Sequence, residues 1–174
     1  MALEIEVKIL EIDPKSVKAK LIEIGAKEQF AGNIHVIYFV RPEERTSPDR
    51  SLLRIRQYEG QQIQMTYKQN IPDKDAKVQN EFEIEVNDFQ KATELILALG
   101  FEILEEYTKY MATYELEDAR IDIEKYDKIP HNAEIEGRSK EVIEKYVELL
   151  ELEPEMVKPW SEKELFKHYG VPKP

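Results

Sequence analysis

The chain has 174 residues, 41% hydrophobic and 35% charged, with a net charge of −11 and no cysteine. That composition suits one folded domain with a real core and argues against disorder. It excludes disulfides, thiolate metal sites and cysteine nucleophiles, and it makes a generic nucleic-acid or anionic-membrane binder a poor fit. No apolar run approaches transmembrane length, and the N-terminus lacks a signal-peptide pattern, so a cytoplasmic protein is the expectation.

LEIEVKI (3–9) alternates apolar and charged residues and predicts a strand. DPKSVKAKLIEIG (13–25) predicts a helix, with Asp13 as N-cap, Pro14 at N1 and Gly25 as stop. Residues 27–40 read as a long strand, followed by the polar, proline-bearing loop 41–50. SLLRIRQY (51–58) and QQIQMTYKQ (61–69) form a predicted hairpin around Glu59–Gly60. After the loop 70–77, strand 80–86 leads to a second helix, 88–100, again running from an Asp cap to a Gly stop. Residues 101–116 read as a strand interrupted near Glu105–Glu106. Strands 119–126 and 131–138 follow, then a helix 140–152 capped by Ser139 and a terminal helix 161–170 capped by Ser161. No linker divides the chain, so residues 1–174 are expected to form a single domain.

The string EIEV occurs at 4–7 and 83–86, and EIEG at 134–137. A unit of EIEV strand, Gly-terminated helix and long strand repeats at 4–40 and 83–116. In each strand the glutamates share one face with other charges: Glu4, Glu6, Lys8, Arg54, Arg56, Lys68, Glu81, Glu83, Glu85, Lys109, Arg120, Asp122, Glu124, Glu134, Glu136 and Arg138. On an open sheet this would be a solvated face; in a closed one it would line a polar lumen. Clustered carboxylates suit hard divalent cations, and clustered Arg and Lys suit phosphate. Together they match the requirements of metal-assisted phosphoryl or nucleotidyl transfer.

LEIEVK (3–8) resembles the opening E-x-E-x-K motif of the CYTH superfamily, the triphosphate tunnel metalloenzymes, which join class IV adenylate cyclases of the CyaB type with thiamine triphosphatases. LRIR (53–56), TYK (66–68), EFEIEV (81–86), the K-x-x-x-x-Y segment Lys109–Tyr114, IDI (121–123) and AEIEG (133–137) follow in the family's order. The tail SEKELFKHYG (161–170) resembles that of the CyaB-like branch.

The resemblance implies an α+β fold: a closed antiparallel eight-stranded β-barrel, the triphosphate tunnel, with amphipathic helices packed outside. It implies Mg2+ or Mn2+ as cofactor and a small-molecule triphosphate as partner: ATP, tripolyphosphate or thiamine triphosphate. Glu4, Glu6, Glu134 and Glu136 would hold metal. Lys8, Arg54, Arg56, Lys68 and Lys109 would bind triphosphate. Glu4, Glu6, Lys8 and Asp122 form the expected catalytic set, with Glu83 a further acidic tunnel position. A homodimer is compatible with the family; no membrane or nucleic-acid partner is expected.

The chain departs from the pattern in three places. Met111 stands where an arginine is expected, a loss of about 1.5–3 kcal/mol if that contact served phosphate. Gln79 and Asn80 precede the middle E-x-E in place of an arginine. The turn KIPHNAEIE (128–136) lacks the usual glycine. Hydrolysis of a triphosphate is favoured over cyclisation of ATP to cyclic AMP. A non-catalytic sensor of triphosphate, polyphosphate or nucleotide is the main alternative, with a purely structural charged barrel behind it. His35, His131 and His168 lack metal-ligand spacing. Trp160, Phe166 and Tyr169 are expected to be packing anchors.

Overall fold

A computed structural model describes residues 5–47, 50–71 and 78–172. It gives an α+β fold with a large antiparallel sheet and four α-helices. The strands are β1 (Ile5–Ile9), β2 (Lys27–Val40), β3 (Leu52–Tyr58), β4 (Ile63–Ile71), β5 (Val78–Val86), β6 (Glu102–Glu115), β7 (Ala119–Lys125), β8 (Asn132–Gly137) and β9 (Val157–Lys158). The helices are α1 (Pro14–Glu23), α2 (Phe89–Ala98), α3 (Lys140–Leu149) and α4 (Glu162–His168).

The helix ends follow their caps. The Asp13 carboxylate accepts from the Lys15 and Ser16 amides, and Asp88 accepts from Lys91 N at 2.9 Å. Gly25 and Gly100 close the repeated helices with φ of +83° and +88°, a left-handed conformation that costs glycine nothing. Ser161 and Glu164 form a reciprocal capping box at α4.

The chain divides into two compact units, one from residues up to Gly32 and from Lys109 onward, the other from Asn33–Thr108. In the first, strands run in the order β6-β7-β8-β1-β9. Its core joins Ile9, Val17, Leu21, Tyr114, Ile121, Ile135, Ile143 and Leu150, with α3 packed on β8 and β1. Gly137 is required there: a Cβ would come within 2.8 Å of Val142 Cγ1. In the second, the order is β5-β4-β3-β2, and Ile37, Phe39, Leu53, Ile55 and Ile96 form a smaller core.

Two readings from sequence change. β6 runs unbroken through Glu105–Glu106, where Glu106 meets His35 Nε2 at 2.9 Å. A ninth strand, β9, adds two residues to the edge of β1. Among the described residues β5 and β9 are sheet edges, so hydrogen bonding does not close the sheet into the eight-stranded barrel.

Candidate functional site

In the first unit, antiparallel register brings the charged faces of β7, β8 and β1 into rows. Lys8 lies opposite Glu134, and Glu6 opposite Glu136. Asp122 lies opposite Glu134, and Glu124 opposite Asn132. Opposed side chains on such strands have Cβ atoms about 4.5–5.5 Å apart, so each row is a contact row.

The centre of this face is Glu124, which sequence reading placed on the charged face without a role. It is 2% exposed. Lys8 Nζ donates to its Oε2 at 3.2 Å, Lys109 Nζ donates to its Oε1, and Tyr126 OH reaches it at 3.3 Å. Desolvation pushes this carboxyl up, but Lys109 and Lys8 outweigh it and hold it down at about 2. Lys8, 3% exposed, also donates to Glu134, and these carboxylates overcome the effect of burial to raise its pKa. Glu134 is raised by desolvation and by the charge of Glu124. Tyr126 OH continues the chain to Glu162 Oε1 of α4 at 2.6 Å, and Phe166 meets the Tyr126 ring edge-on at 5.1 Å. Phe166 is therefore a packing anchor.

Glu6 is exposed, and its register partner Glu136 is half-buried. Two hard-oxygen groups facing across adjacent strands fit a divalent cation, and Arg120 lies opposite Glu136 on its other side. Among the described residues no ready-made group of three or more acidic or histidine ligands occurs. Glu4 lies outside the described residues. Asp122 is held by Arg120 at 3.2 Å, an ion pair within its own strand. Met111 is buried opposite Glu124, which already has two lysine partners. An arginine at 111 would thus face a carboxylate that is already neutralised.

The second unit gathers cations differently. Arg54 is 7% exposed, and its Nε has no hydrogen-bond partner. Its guanidinium lies 5.9 Å from the Tyr38 ring centroid. Arg56 Nη1 donates to Tyr58 OH at 3.3 Å; desolvation lowers its pKa, but Tyr58, Tyr38 and Tyr107 outweigh this and raise it above the ordinary arginine value. Among the described residues neither arginine forms an ion pair. Lys68, by contrast, pairs with Glu81 at 2.6 Å, and Glu83 accepts from Thr66 at 3.1 Å. The side chain of Gln79 lies outside the described residues.

A groove of about 610 Å³ also opens in the first unit, lined by residues including Ile24, Lys27, Glu115, Glu117 and Tyr146. It contains none of the predicted site residues.

The CYTH domain family matches residues 2–169. The chain belongs to that family. A Pyrococcus horikoshii OT3 protein superimposes with TM-score 0.72 at 29% identity, covering 94% of this chain and 99% of its own. A Vibrio parahaemolyticus protein, described as a candidate adenylate cyclase, matches with TM-score 0.75 at 14% identity, covering 94% and 97%. A Hippeastrum protein, described as a candidate adenylyl cyclase with a dominant triphosphatase activity, matches with TM-score 0.65 at 15% identity, covering 100% and 98%. The last two likenesses concern the fold. Among curated proteins none matches. Among the described residues no helix is long and apolar enough to cross a membrane.

Proposed function

We propose that this CYTH chain is a divalent-metal-dependent enzyme acting on triphosphate-bearing small molecules, with hydrolysis favoured over cyclisation of ATP. The observation that carries the proposal is the pair Arg54 and Arg56: cations in a tyrosine-lined setting that form no ion pair among the described residues. Removing a guanidinium from water without an anion is costly, so such a pair favours an anionic ligand. Phosphate oxygens match the guanidinium fork. In this reading Lys8, Lys68 and Lys109 add charge to the triphosphate contacts, each by leaving a carboxylate partner.

Glu6 and Glu136, with Glu4, are the assigned ligands of Mg2+ or Mn2+; Glu134 joins them if Lys8 turns to phosphate. When bound, the metal neutralises phosphate charge and favours attack by an oxygen nucleophile. Glu124 keeps Lys8 and Lys109 ordered, and Asp122 keeps Arg120 in place, so its role is orientation. The closed tunnel, a single domain over residues 1–174, a cytoplasmic location and a homodimer belong to the same proposal. ATP, tripolyphosphate and thiamine triphosphate are its candidate substrates, and the Hippeastrum protein's description supports the hydrolytic choice.

A second reading has its own support. Lys8 and Lys109 are both engaged by Glu124, and Met111 is apolar, which suits a sensor that binds triphosphate without converting it. The test incubates pure protein and Mg2+ or Mn2+ with each candidate substrate and quantifies phosphate, pyrophosphate and cyclic AMP. Phosphate release supports the hydrolase, and cyclic AMP the cyclase. Metal-dependent binding without turnover supports the sensor, and neither binding nor turnover rejects all three.

A further inference from the structure

The network around Glu124 leaves one neighbour unexplained. Asn132 is 1% exposed, yet neither its Oδ1 nor its Nδ2 has a hydrogen-bond partner. A buried amide with both ends unmet is rare, because each end gave up water on folding. Register sets Asn132 directly opposite Glu124, and β8 periodicity puts it on the face that carries Glu134. In the next row, Thr113 lies opposite Asp122, and its buried hydroxyl is also unmet. Two unsatisfied neutral groups thus flank a cluster whose charges are otherwise satisfied.

The amide's chemistry narrows its partner. Nδ2 needs an acceptor, which a phosphate oxygen supplies. Oδ1 needs a donor. A metal ion cannot donate, and neither can an ionised triphosphate. Neither adjacent ammonium reaches Oδ1: Lys8 is drawn to Glu124 and Glu134, Lys109 to Glu124 and Tyr126, and both turn to phosphate in the triphosphate reading. Water and a substrate hydroxyl both supply such a donor as an O–H group.

We infer that Asn132 is a nucleophile-holding residue: its Oδ1 accepts from an attacking O–H while its Nδ2 donates to a phosphate oxygen of the same substrate. The inference rests on the triphosphate reading above. Two sources share the O–H chemistry. With water, its oxygen bonds to the terminal phosphorus as the bridging P–O bond breaks, and that electron pair leaves with the diphosphate. One water proton stays on the released phosphate and the other passes to solvent. With a substrate hydroxyl, the oxygen bonds to the α-phosphorus, pyrophosphate leaves with the bond pair, and the hydroxyl proton passes to solvent. An amide is no base, so its part is orientation, as for amide side chains that position attacking water.

The experiment measures kcat and KM with Mn2+ on tripolyphosphate and on ATP, and the melting temperature without ligand, for wild type, Asn132→Leu and Asn132→Asp. Asn132→Leu should lower kcat roughly tenfold to a hundredfold with KM little changed. It should also raise the melting temperature by about 2–4 °C, since it removes an unmet buried amide. Asn132→Asp keeps an acceptor, so kcat should hold better while KM rises through repulsion of the triphosphate. Loss on both substrates identifies water as the partner; loss confined to cyclic AMP formation identifies the ribose hydroxyl. An unchanged kcat in Asn132→Leu overturns this inference alone. A fall in both kcat and melting temperature also overturns it, because the amide would then hold the fold. A wild type inert on every substrate overturns the enzyme reading, and this inference with it.

Discussion

The two copies of EIEV have the same letters and different neighbours. In β5, Glu81 lies opposite Lys68, Glu83 opposite Thr66 and Glu85 opposite Gln64. Glu81 accepts from Lys68, and Glu83 accepts from both Thr66 and Gln64. In β1, Glu6 lies opposite Glu136, and the following Lys8 is drawn between Glu124 and Glu134. Two acids of β5 thus take donors from β4, whereas Glu6 faces a second acid, Glu136, which has Arg120 opposite it on its other side. The difference between the repeats therefore lies in the strand alongside.

The largest expected effect comes from breaking the buried cluster of the first unit. Glu124→Leu leaves Lys8 buried with only Glu134, and should cost about 3–5 kcal/mol in urea unfolding. Acid should expose the same dependence. The folded Glu124 carboxyl is depressed, so its contribution is present above its ordinary value of 4.5 and lost as pH falls toward about 2. The wild-type urea midpoint should fall more steeply than that of Glu124→Gln across this window. A parallel fall in both would detach the lysines from Glu124.

The next effect separates the two EIEV strands directly. At about a hundredfold excess over its dissociation constant, Mn2+ should stabilise the wild type by about 2.7 kcal/mol in thermal unfolding. Glu6→Gln/Glu136→Gln should lose that gain, whereas Glu81→Gln/Glu85→Gln should keep it. Equal losses would end the distinction between the copies.

Smaller still, Tyr58→Phe removes one hydroxyl from Arg56 and should cost about 0.5–1.5 kcal/mol. The smallest is Lys68→Gln. Its partner Glu81 is half exposed, so solvent screening limits the stability loss to about 0–1 kcal/mol by urea unfolding. A larger cost would mean that the second unit depends on its ion pair as heavily as the first depends on Glu124.

Alternation and capping made much of the fold legible. The eight principal strands, the Asp13 and Asp88 caps and the two glycine stops all follow from local chemistry. The interruption near Glu105–Glu106 was misread because adjacent acids look like a break until a cross-strand partner such as His35 is known. Two residues at 157–158 carry too little pattern to announce a strand.

Parity identified the charged face, but could not say which charges neutralise one another. Glu124, Tyr126 and Glu162 become a chain only through register and the docking of α4. Asn132 carries no charge, so charge patterning does not mark it. Its significance comes from missing partners, a property of the packed structure alone. Lys68 shows the reverse: its motif suggested phosphate, and the fold supplies Glu81.

The central claim is tested most directly by Mn2+-dependent hydrolysis of tripolyphosphate in the two double variants side by side. Glu6→Gln/Glu136→Gln should lose at least about a hundredfold in kcat/KM, with the fold intact by urea unfolding. Glu81→Gln/Glu85→Gln should stay within about threefold of wild type, as solvent-screened acids contribute little. Wild-type turnover that survives loss of Glu6 and Glu136 would contradict the account.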